Sequence, residues 1–286
     1  MPSTLHAFAL AAALMLSLSK PALAQDAAPL GACLPPEAIP AAVRGAPFLV
    51  FAEVHGTREV PEFIGAYLCA AARERRKITL AIEFSSSEQG AIDRFMASLG
   101  TVQDVERFTS GPRWHSPMQD GRTSAAMLAM FDAIRALRAG GADIRVVAID
   151  ADVPTARRDA AMAAHLRSEL GRSVGRQLVV LTGGPHAIRT KGKRFDPHYE
   201  SAIYLLADQR PLALTVGTAG GSAWVCQGTT PASCGATAWD VNRVSPAPAG
   251  VFNLTPPSGQ FDGVFYIGAT TASPPAVGAR PPPHRR

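Results

Sequence analysis

Short apolar runs alternate with amphipathic stretches along most of the chain. Five runs are rich in Val, Ile and Leu and show little apolar–polar alternation: Pro47–Glu53, Ile78–Phe84, Ile144–Asp150, Gln177–Gly183 and Pro211–Gly217. Unbroken runs of this length are typical of strands that are covered on both faces. Helical spacing is found between them, at Pro61–Arg75, Ser124–Ala139, Thr155–Leu170 and Pro197–Asp208. This alternation predicts an α/β fold with a mainly parallel sheet between flanking helices.

The chain changes character after Gly217, where Gly, Thr, Pro and Ser dominate. Two β-prone pieces, Ser222–Cys226 and Gly263–Gly268, predict a hairpin and edge strands that belong to the same domain. From Pro274 onward the sequence has too little apolar surface to order itself, so we expect a disordered tail over residues 274–286. The α/β domain is then expected over residues 45–273, after a Pro- and Ala-rich lead over residues 25–44.

The first residues have the pattern of a signal peptide. An apolar run, Leu5–Ser19, is followed by Lys20 and by a small-residue cleavage pattern that ends at Ala24. The run is too short to span a bilayer, and no later segment is long enough. We therefore expect cleavage near Ala24 and a periplasmic or secreted protein without a transmembrane segment. Lipidation at Cys33 is the weaker alternative, because that residue lies far from the apolar run.

The chain has four cysteines, which suit an oxidising compartment. Cys226 and Cys234 bracket a short, turn-rich stretch that a disulfide closes readily, which leaves Cys33 and Cys69 as the other pair. Four cysteines permit three pairings, so the sequence leaves the connectivity open.

The charge balance argues against a nucleic-acid partner. Removing residues 1–24 leaves 27 basic and 23 acidic residues, spread along the chain. The densest basic run, Ala71–Lys77, ends a predicted helix, where cations complement the helix dipole. No stretch alternates aromatic with basic residues in the manner of single-strand binders. A small-molecule substrate is the partner that we expect, and the oligomeric state is left open.

Polar residues stand where the predicted strands end. Glu53 and His55 follow the first strand, Glu83 lies in the second, Asp150 and Asp152 end the third, and His186 follows the fourth. In an open α/β sheet the ligand binds outside the carboxyl ends of the strands, so these residues are the candidate site. Each one alone is more readily explained by a helix cap or a solvated loop. Glu83 is the exception, since an ionised group in an apolar strand needs a partner.

Histidine paired with a carboxylate acts as a general base on water or as a metal ligand, so His55 and His186 are the candidate partners of Glu83. His115 lies in the stretch GPRWHSPMQDGR, which has neither helical nor strand periodicity and has the composition of a binding loop. The sequence has no GxSxG nucleophile elbow after a strand, no HExxH, no GxxxxGK[ST], no CxxC and no GxGxxG that follows a strand.

Four of these stretches carry a family resemblance. AEVHGTREVP, IEF, RRDAAMA and LTGGPHA resemble, in this order, motifs of the erythromycin esterase-like and ChaN-like superfamily, which includes haem-binding uptake proteins and Tiki/TraB peptidases. FDGVFYIGATTASPPA is similar to its closing strand and exit. The likeness spans Phe48 to Ala276. It implies a three-layer αβα domain with a site built from Glu53, His55, Glu83 and His186, next to Arg158 and Asp159 at the start of a helix.

The leading hypothesis from these observations is an exported hydrolase in which His55 or His186 activates water and Glu53 or Glu83 orients the histidine. Arg94, Arg113 and Arg158 are expected to stabilise oxyanion charge or to hold an acidic substrate group. A metal-assisted version uses His55, Glu83 and His186 as ligands. The alternatives are a haem- or iron-binding uptake protein without turnover and an inactive interaction module. The inactive module is suggested by Ala52, where Tiki-like peptidases have Gly.

Overall fold

A seven-stranded sheet forms the centre of the molecule. The computed structural model describes residues 33–240, 243–244, 247–254 and 259–278, so the predicted signal peptide lies outside the described residues. The strands of this sheet are β1 (Phe48–Glu53), β2 (Ile78–Ser85), β3 (Ile144–Asp150), β4 (Gln177–Gly183), β5 (Leu212–Gly217), β8 (Phe252–Asn253) and β9 (Gly263–Tyr266). Their order is β3-β2-β4-β1-β5-β9-β8, and only β8 runs antiparallel to its neighbour.

Six α-helices are found in the described part of the chain. They are α1 (Ala41–Gly45), α2 (Glu59–Arg73), α3 (Gln89–Met96), α4 (Val102–Thr109), α5 (Ala125–Ala139) and α6 (Thr155–Arg172). Capping residues set several boundaries: Ser124 begins α5 by accepting a hydrogen bond from Met127 N, and Thr101 forms a capping box with Asp104.

The two faces of the sheet carry separate hydrophobic cores, as a three-layer αβα domain requires. In β1, Leu49 and Phe51 pack on the face covered by α2, α3 and α5, whereas Phe48 and Val50 pack on the face covered by α6. All six residues of β1 are buried. This two-sided burial explains why the strands read as unbroken apolar runs, and the predicted α/β fold with a mainly parallel sheet is confirmed.

The C-terminal part contains the hairpin and edge strands that its composition predicted. Strands β6 (Ser222–Cys226) and β7 (Cys234–Ala238) form a separate antiparallel pair, whereas β9 joins the main sheet next to β5. The disulfides are Cys33–Cys69 and Cys226–Cys234. Within the described residues, none of the helices has the length and apolarity that crossing a membrane requires.

The helix predicted over Pro197–Asp208 is not formed. That stretch is irregular apart from a short 3-10 helix, Tyr204–Gln209. The Ser201 hydroxyl hydrogen-bonds Ile188 O, and Ala202 N donates to the Asp159 carboxylate. These long-range bonds hold the backbone in a shape that overrides local helix propensity.

The packed chain also extends beyond both ends of the domain that we expected. Leu34, Ile39 and Val43 of the lead are buried in the core. At the other end, Ala125 N donates to Pro274 O and Ala276 N donates to Thr123 O, so residues 274–278 are tied to the start of α5 instead of forming a free tail. The remainder of the predicted tail lies outside the described residues.

Candidate active site

The carboxyl ends of three neighbouring strands bring the candidate residues together. Strand β4 lies between β1 and β2, and Glu53 at the end of β1 is in register with Gly183 at the end of β4. Glu83 lies near the end of β2 on the other side of β4. His55 follows β1 by two residues, and His186 follows β4 by three. Residues that are far apart in sequence therefore meet because their strands are adjacent.

These side chains line a cleft of about 1080 Å³, into which Glu53, His55, Glu83, Arg158 and His186 all project. A groove of similar size, about 1000 Å³, lies between α2 and α5 but contains none of them. The titratable groups that the sequence singles out at the strand ends therefore belong to one cavity.

Glu83 is the buried centre of the cluster, with 3% of its side chain exposed. Its Oε2 accepts hydrogen bonds from Thr182 Oγ1 at 2.9 Å and from Gly183 N at 2.7 Å. Its Oε1 accepts from Arg122 Nη1 at 3.1 Å and from Arg158 Nη2 at 2.5 Å. Burial alone would raise the pKa of Glu83, but the positive charge of His55 and its other basic neighbours lower that pKa well below the usual range. Glu83 is therefore a fixed negative charge that arranges the site, and a poor proton acceptor.

His55 lies between two carboxylates. Its Nδ1 is 3.0 Å from Glu53 Oε1, and its Nε2 is 3.5 Å from Glu83 Oε2. Burial alone would lower the pKa of His55, but the charges of Glu53 and Glu83 raise it to about 10. The ring is therefore an imidazolium at neutral pH. About a fifth of the side chain is exposed, and the ring lines the cleft.

His186 is held by a carboxylate and a tyrosine. The Asp159 carboxylate accepts from His186 Nδ1 at 2.8 Å and from the Tyr199 hydroxyl at 2.8 Å. Burial would raise the pKa of Asp159, but the hydrogen bond from His186 and those from its other donors lower it. Because an ionised carboxylate only accepts, Nδ1 carries a proton, and because a guanidinium only donates, Nε2 accepts from Arg158 Nη1. That Nε2 atom lies 3.0 Å from Arg158 Nη1 and 3.9 Å from Glu83 Oε1.

Two arginine–aspartate pairs complete the cluster. Arg158 donates from Nε to Asp150 Oδ1 at 2.8 Å and from Nη2 to Asp150 Oδ2 at 2.6 Å. Arg122 donates to both oxygens of Asp120 and is half of a second two-point pair. Paired guanidinium and carboxylate groups fix each other's orientation, so both arginines meet Glu83 from defined directions.

The loop after β1 is clamped by the hairpin. Gly56 has a φ of +72°, and a Cβ at this position would lie 2.0 Å from Trp224 O, so only glycine fits. Trp224 N donates to Gly56 O, and Trp224 Nε1 donates to Gln119 O at 2.9 Å. The hairpin β6–β7 is thereby attached to the loop that follows His55 and to the loop that precedes Arg122.

The structure does not bring all predicted residues into the cleft. Arg94 is exposed on α3, beside Arg107 and away from the cluster, and His115 is also exposed outside the cleft. Arg113 lies near the cluster, with its Nη2 at 3.8 Å from Asp150 Oδ2. Arg158 and Asp159 lie near the start of α6, where Arg158 contacts Glu83 and Asp159 contacts His186.

The sequence did not predict three residues of the cluster: Asp120, Arg122 and Tyr199. Asp120 and Arg122 belong to the same irregular stretch as His115, so the composition pointed to the right loop but not to the right side chains. Tyr199 lies within the stretch that we predicted as a helix. A helix there gave no reason to expect a contact between Tyr199 and Asp159.

The predicted metal ligands His55, Glu83 and His186 do not fit a divalent cation. Among the described residues no group of three or more His, Cys, Asp or Glu side chains has the arrangement of a metal site. Arg158 Nη1 occupies the space in front of His186 Nε2, and two guanidinium groups already share Glu83 Oε1. A cation here would meet positive charges at short range, which is unfavourable in a buried site.

Haem does not fit this cleft either. Both ring nitrogens of His55 and of His186 face charged neighbours at 3.9 Å or less. Cys226 is bound in a disulfide. No Tyr or Met is found among the described residues that line the cleft, so it presents no free axial ligand of the kinds that hold haem iron.

Comparison with known proteins identifies the fold. No family model matches the sequence, and no curated protein matches it. Among solved structures, an EreC erythromycin esterase mutant in its open conformation matches with a TM-score of 0.54 and 10% identity, over 69% of this chain and 77% of that one. A succinoglycan biosynthesis protein matches with a TM-score of 0.55 and 9% identity, over 80% and 89%. A Bacillus cereus protein matches with 0.54 and 10%, over 79% and 89%. At such low identity the likeness is one of fold, and the chain has an erythromycin esterase-like fold.

Proposed function

We propose that the protein is an exported, metal-independent hydrolase that cleaves an ester or related acyl bond in the cleft at the carboxyl ends of β1, β2 and β4. One observation carries this proposal: His55 and His186, each oriented by its own carboxylate, face the same buried Glu83 at the wall of one cleft. The esterase-like fold supports the reaction class, and the two disulfides support export.

In this proposal the two histidines have different roles. His186 is the general base, because Asp159 holds its Nδ1 proton and leaves Nε2 as the acceptor. His55 is the acid, because the carboxylates around it keep it protonated at neutral pH. Two groups whose environments set opposite protonation states are the usual requirement for acid–base catalysis.

The reaction follows from these protonation states. Water attacks the acyl carbon while His186 Nε2 accepts one of its protons, and the negative charge that develops on the carbonyl oxygen is stabilised by the His55 imidazolium and Arg158. When the tetrahedral intermediate collapses, the His55 proton passes to the leaving oxygen. A proton is then lost from His186 and one is regained by His55, which restores the starting state.

Arg158 has to shift for the base to act. In the free protein its Nη1 donates to the His186 Nε2 lone pair, so substrate binding must draw this donor away. The developing oxyanion is the stronger acceptor for a guanidinium, because it carries negative charge whereas the imidazole nitrogen does not. Arg158 would thus release the base and stabilise the charge in the same movement.

The test is hydrolysis of 4-nitrophenyl esters of different acyl lengths by the purified protein and by His186→Asn and His55→Gln variants. We expect each variant to lose about 10²- to 10⁴-fold in kcat while its circular dichroism spectrum is unchanged. Exposed His198 provides a control, and His198→Asn should keep full activity. A His186→Asn variant as active as the unmodified protein would contradict this proposal.

The haem- or iron-uptake function remains a separate hypothesis, which rests on the ChaN-like part of the sequence resemblance. Haem addition followed by an absorbance scan decides it. A stoichiometric Soret band that is lost in His186→Asn would favour uptake over hydrolysis, whereas no band is the result that the occupied ring nitrogens lead us to expect.

A further inference from the structure

A basic loop over residues 189–200 forms one rim of the cleft. It contains Arg189, Lys191, Lys193 and Arg194. Arg189 and Lys191 each form an ion pair with a carboxylate, whereas Lys193 and Arg194 line the cleft and have no carboxylate within ion-pair distance among the described residues. These two cations lie over aromatic rings, Lys193 at 3.6 Å from the centre of the Tyr199 ring and Arg194 at 4.9 Å from that of Phe195. The rim therefore presents two cations without a carboxylate partner to a ligand that enters the cleft.

The acidic side chains in the cleft do not neutralise these cations, because they are already engaged. Glu53 lies against His55, Glu83 accepts from Arg122 and Arg158, and Asp120 is paired with Arg122. The positive charge of the rim is thus left for a ligand, and a cleft with excess charge of one sign raises the local concentration of the opposite ion.

Apolar side chains also line the cleft, next to the polar Thr215, Gln227 and Gln260. Ile188, Val225, Trp239 and Phe261 line it, and Phe195 stands on the rim with 86% of its surface exposed. Because Arg194 lies over the Phe195 ring, the rim places a cation and an exposed aromatic surface side by side at the cleft. The same pair of features suits a ligand that has an apolar body and a negatively charged group.

We propose, building on the proposed hydrolase function, that the substrate is an anionic amphiphile. Its apolar part lies along Phe261 and Trp239 under Phe195, and its carboxylate, sulfonate or phosphate group is held by Lys193 and Arg194. The scissile acyl group then lies deeper, beside His55 and His186.

The anion preference can be measured without turnover by using two fluorescent dyes. Anilinonaphthalene sulfonate carries a negative charge, and N-phenyl-1-naphthylamine has the same ring system without it. In the Lys193→Gln, Arg194→Gln double variant we expect the affinity for the sulfonate to fall about tenfold and that for the neutral dye to change less than twofold. Lys191→Gln, in the same loop but already paired with Glu200, should leave both affinities unchanged. Equal losses for the two dyes, or no loss for either, would overturn the inference.

Hydrolysis gives a second readout. For 4-acetoxybenzoate and its neutral analogue 4-acetoxybenzamide, the double variant should lower the ratio of the two kcat/KM values about tenfold, mainly through KM. An unchanged ratio would refute the anion preference and leave the hydrolase proposal standing. Absence of turnover with both esters would count against the hydrolase proposal, and the dye measurements would still decide the anion preference.

Discussion

The charge of His55 is the residue-level feature that most clearly separates this site from an ordinary pair of surface histidines. Glu53 and Glu83 raise the pKa of His55 to about 10, compared with about 6.5 in an unfolded chain. Between these two values the folded protein binds a proton that the unfolded chain has released. His55 therefore contributes stability that is complete below pH 6.5 and is lost as the pH rises toward 10.

We predict that the unfolding free energy depends more steeply on pH in the unmodified protein than in the His55→Gln variant. From pH 7 to pH 9 the free energy of unfolding of the unmodified protein should fall by about 1.4 kcal/mol per pH unit relative to His55→Gln. Urea denaturation at several pH values measures it. Parallel pH profiles for the two proteins would mean that His55 is neutral in the folded state.

Gly183 controls how closely His55 approaches Glu83. A Cβ at this position would lie 3.0 Å from His55 Nε2 and 3.3 Å from Glu83 Oε2. Its φ of −58° suits any residue, so alanine introduces crowding without backbone strain. We expect Gly183→Ala to lose at least about tenfold in kcat, because small displacements of reacting groups are costly. Its unfolding free energy should change by less than about 1 kcal/mol.

The neighbouring glycine offers a matched control for this variant. A Cβ on Gly184 meets no atom within 4 Å, so Gly184→Ala should remain close to full activity. Ester hydrolysis and urea denaturation of both variants separate crowding at the site from a general loss of stability. Similar kinetics for Gly183→Ala and Gly184→Ala would show that the spacing between His55 and Glu83 does not limit the reaction.

At the level of elements, the strands could be predicted and the loops could not. The bounds of β3 and β4 equal those of the apolar runs Ile144–Asp150 and Gln177–Gly183, because burial on both faces leaves an unmistakable pattern. The strand-end residues followed from that pattern together with the rule for parallel sheets. Asp120, Arg122 and Tyr199 act through bonds to residues 28 or more positions away, or to each other, and no local pattern encodes such partners.

Side chains from two helices form hydrogen bonds with the backbone along the outer edge of strand β3. Gln89, at the start of α3, donates from Nε2 to Val146 O at 3.0 Å and accepts from Ala148 N at 2.7 Å. Arg138 donates to Ile144 O farther along the same edge. These side chains occupy backbone groups that would otherwise be available for pairing with another chain.

Removing this protection should have two effects. Gln89→Ala leaves a donor and an acceptor of β3 unpaired, so we expect a loss of about 1–3 kcal/mol in unfolding free energy. We also expect concentration-dependent association, which analytical ultracentrifugation would detect. Gln103→Ala, an exposed glutamine on α4, is the matched control. A Gln89→Ala variant that is monomeric wherever the unmodified protein is, and equally stable, would show that the edge needs no cover.

At the scale of the whole molecule, the two disulfides stabilise different parts of the structure. Cys33–Cys69 joins the start of the described chain to α2 across 36 residues, whereas Cys226–Cys234 closes a loop of 8 within the hairpin. In the chain-entropy model these loops correspond to about 4 and about 2.5 kcal/mol of stabilisation. The short bridge lies at the cleft, in the hairpin that is bonded to Gly56 and Gln119.

We therefore expect one bridge to matter more for stability and the other more for activity when each is removed by a pair of Cys→Ser substitutions. Loss of Cys33–Cys69 should lower the unfolding free energy more and leave kcat within about twofold, because this bridge lies away from the cleft. Loss of Cys226–Cys234 should destabilise less and reduce kcat/KM more, since the hairpin that clamps the loop after His55 becomes free to move. Urea denaturation and ester hydrolysis of the two double variants measure both quantities on the same samples. If the hairpin variant keeps full activity, the bonds from Trp224 are sufficient to hold that wall of the cleft without the disulfide.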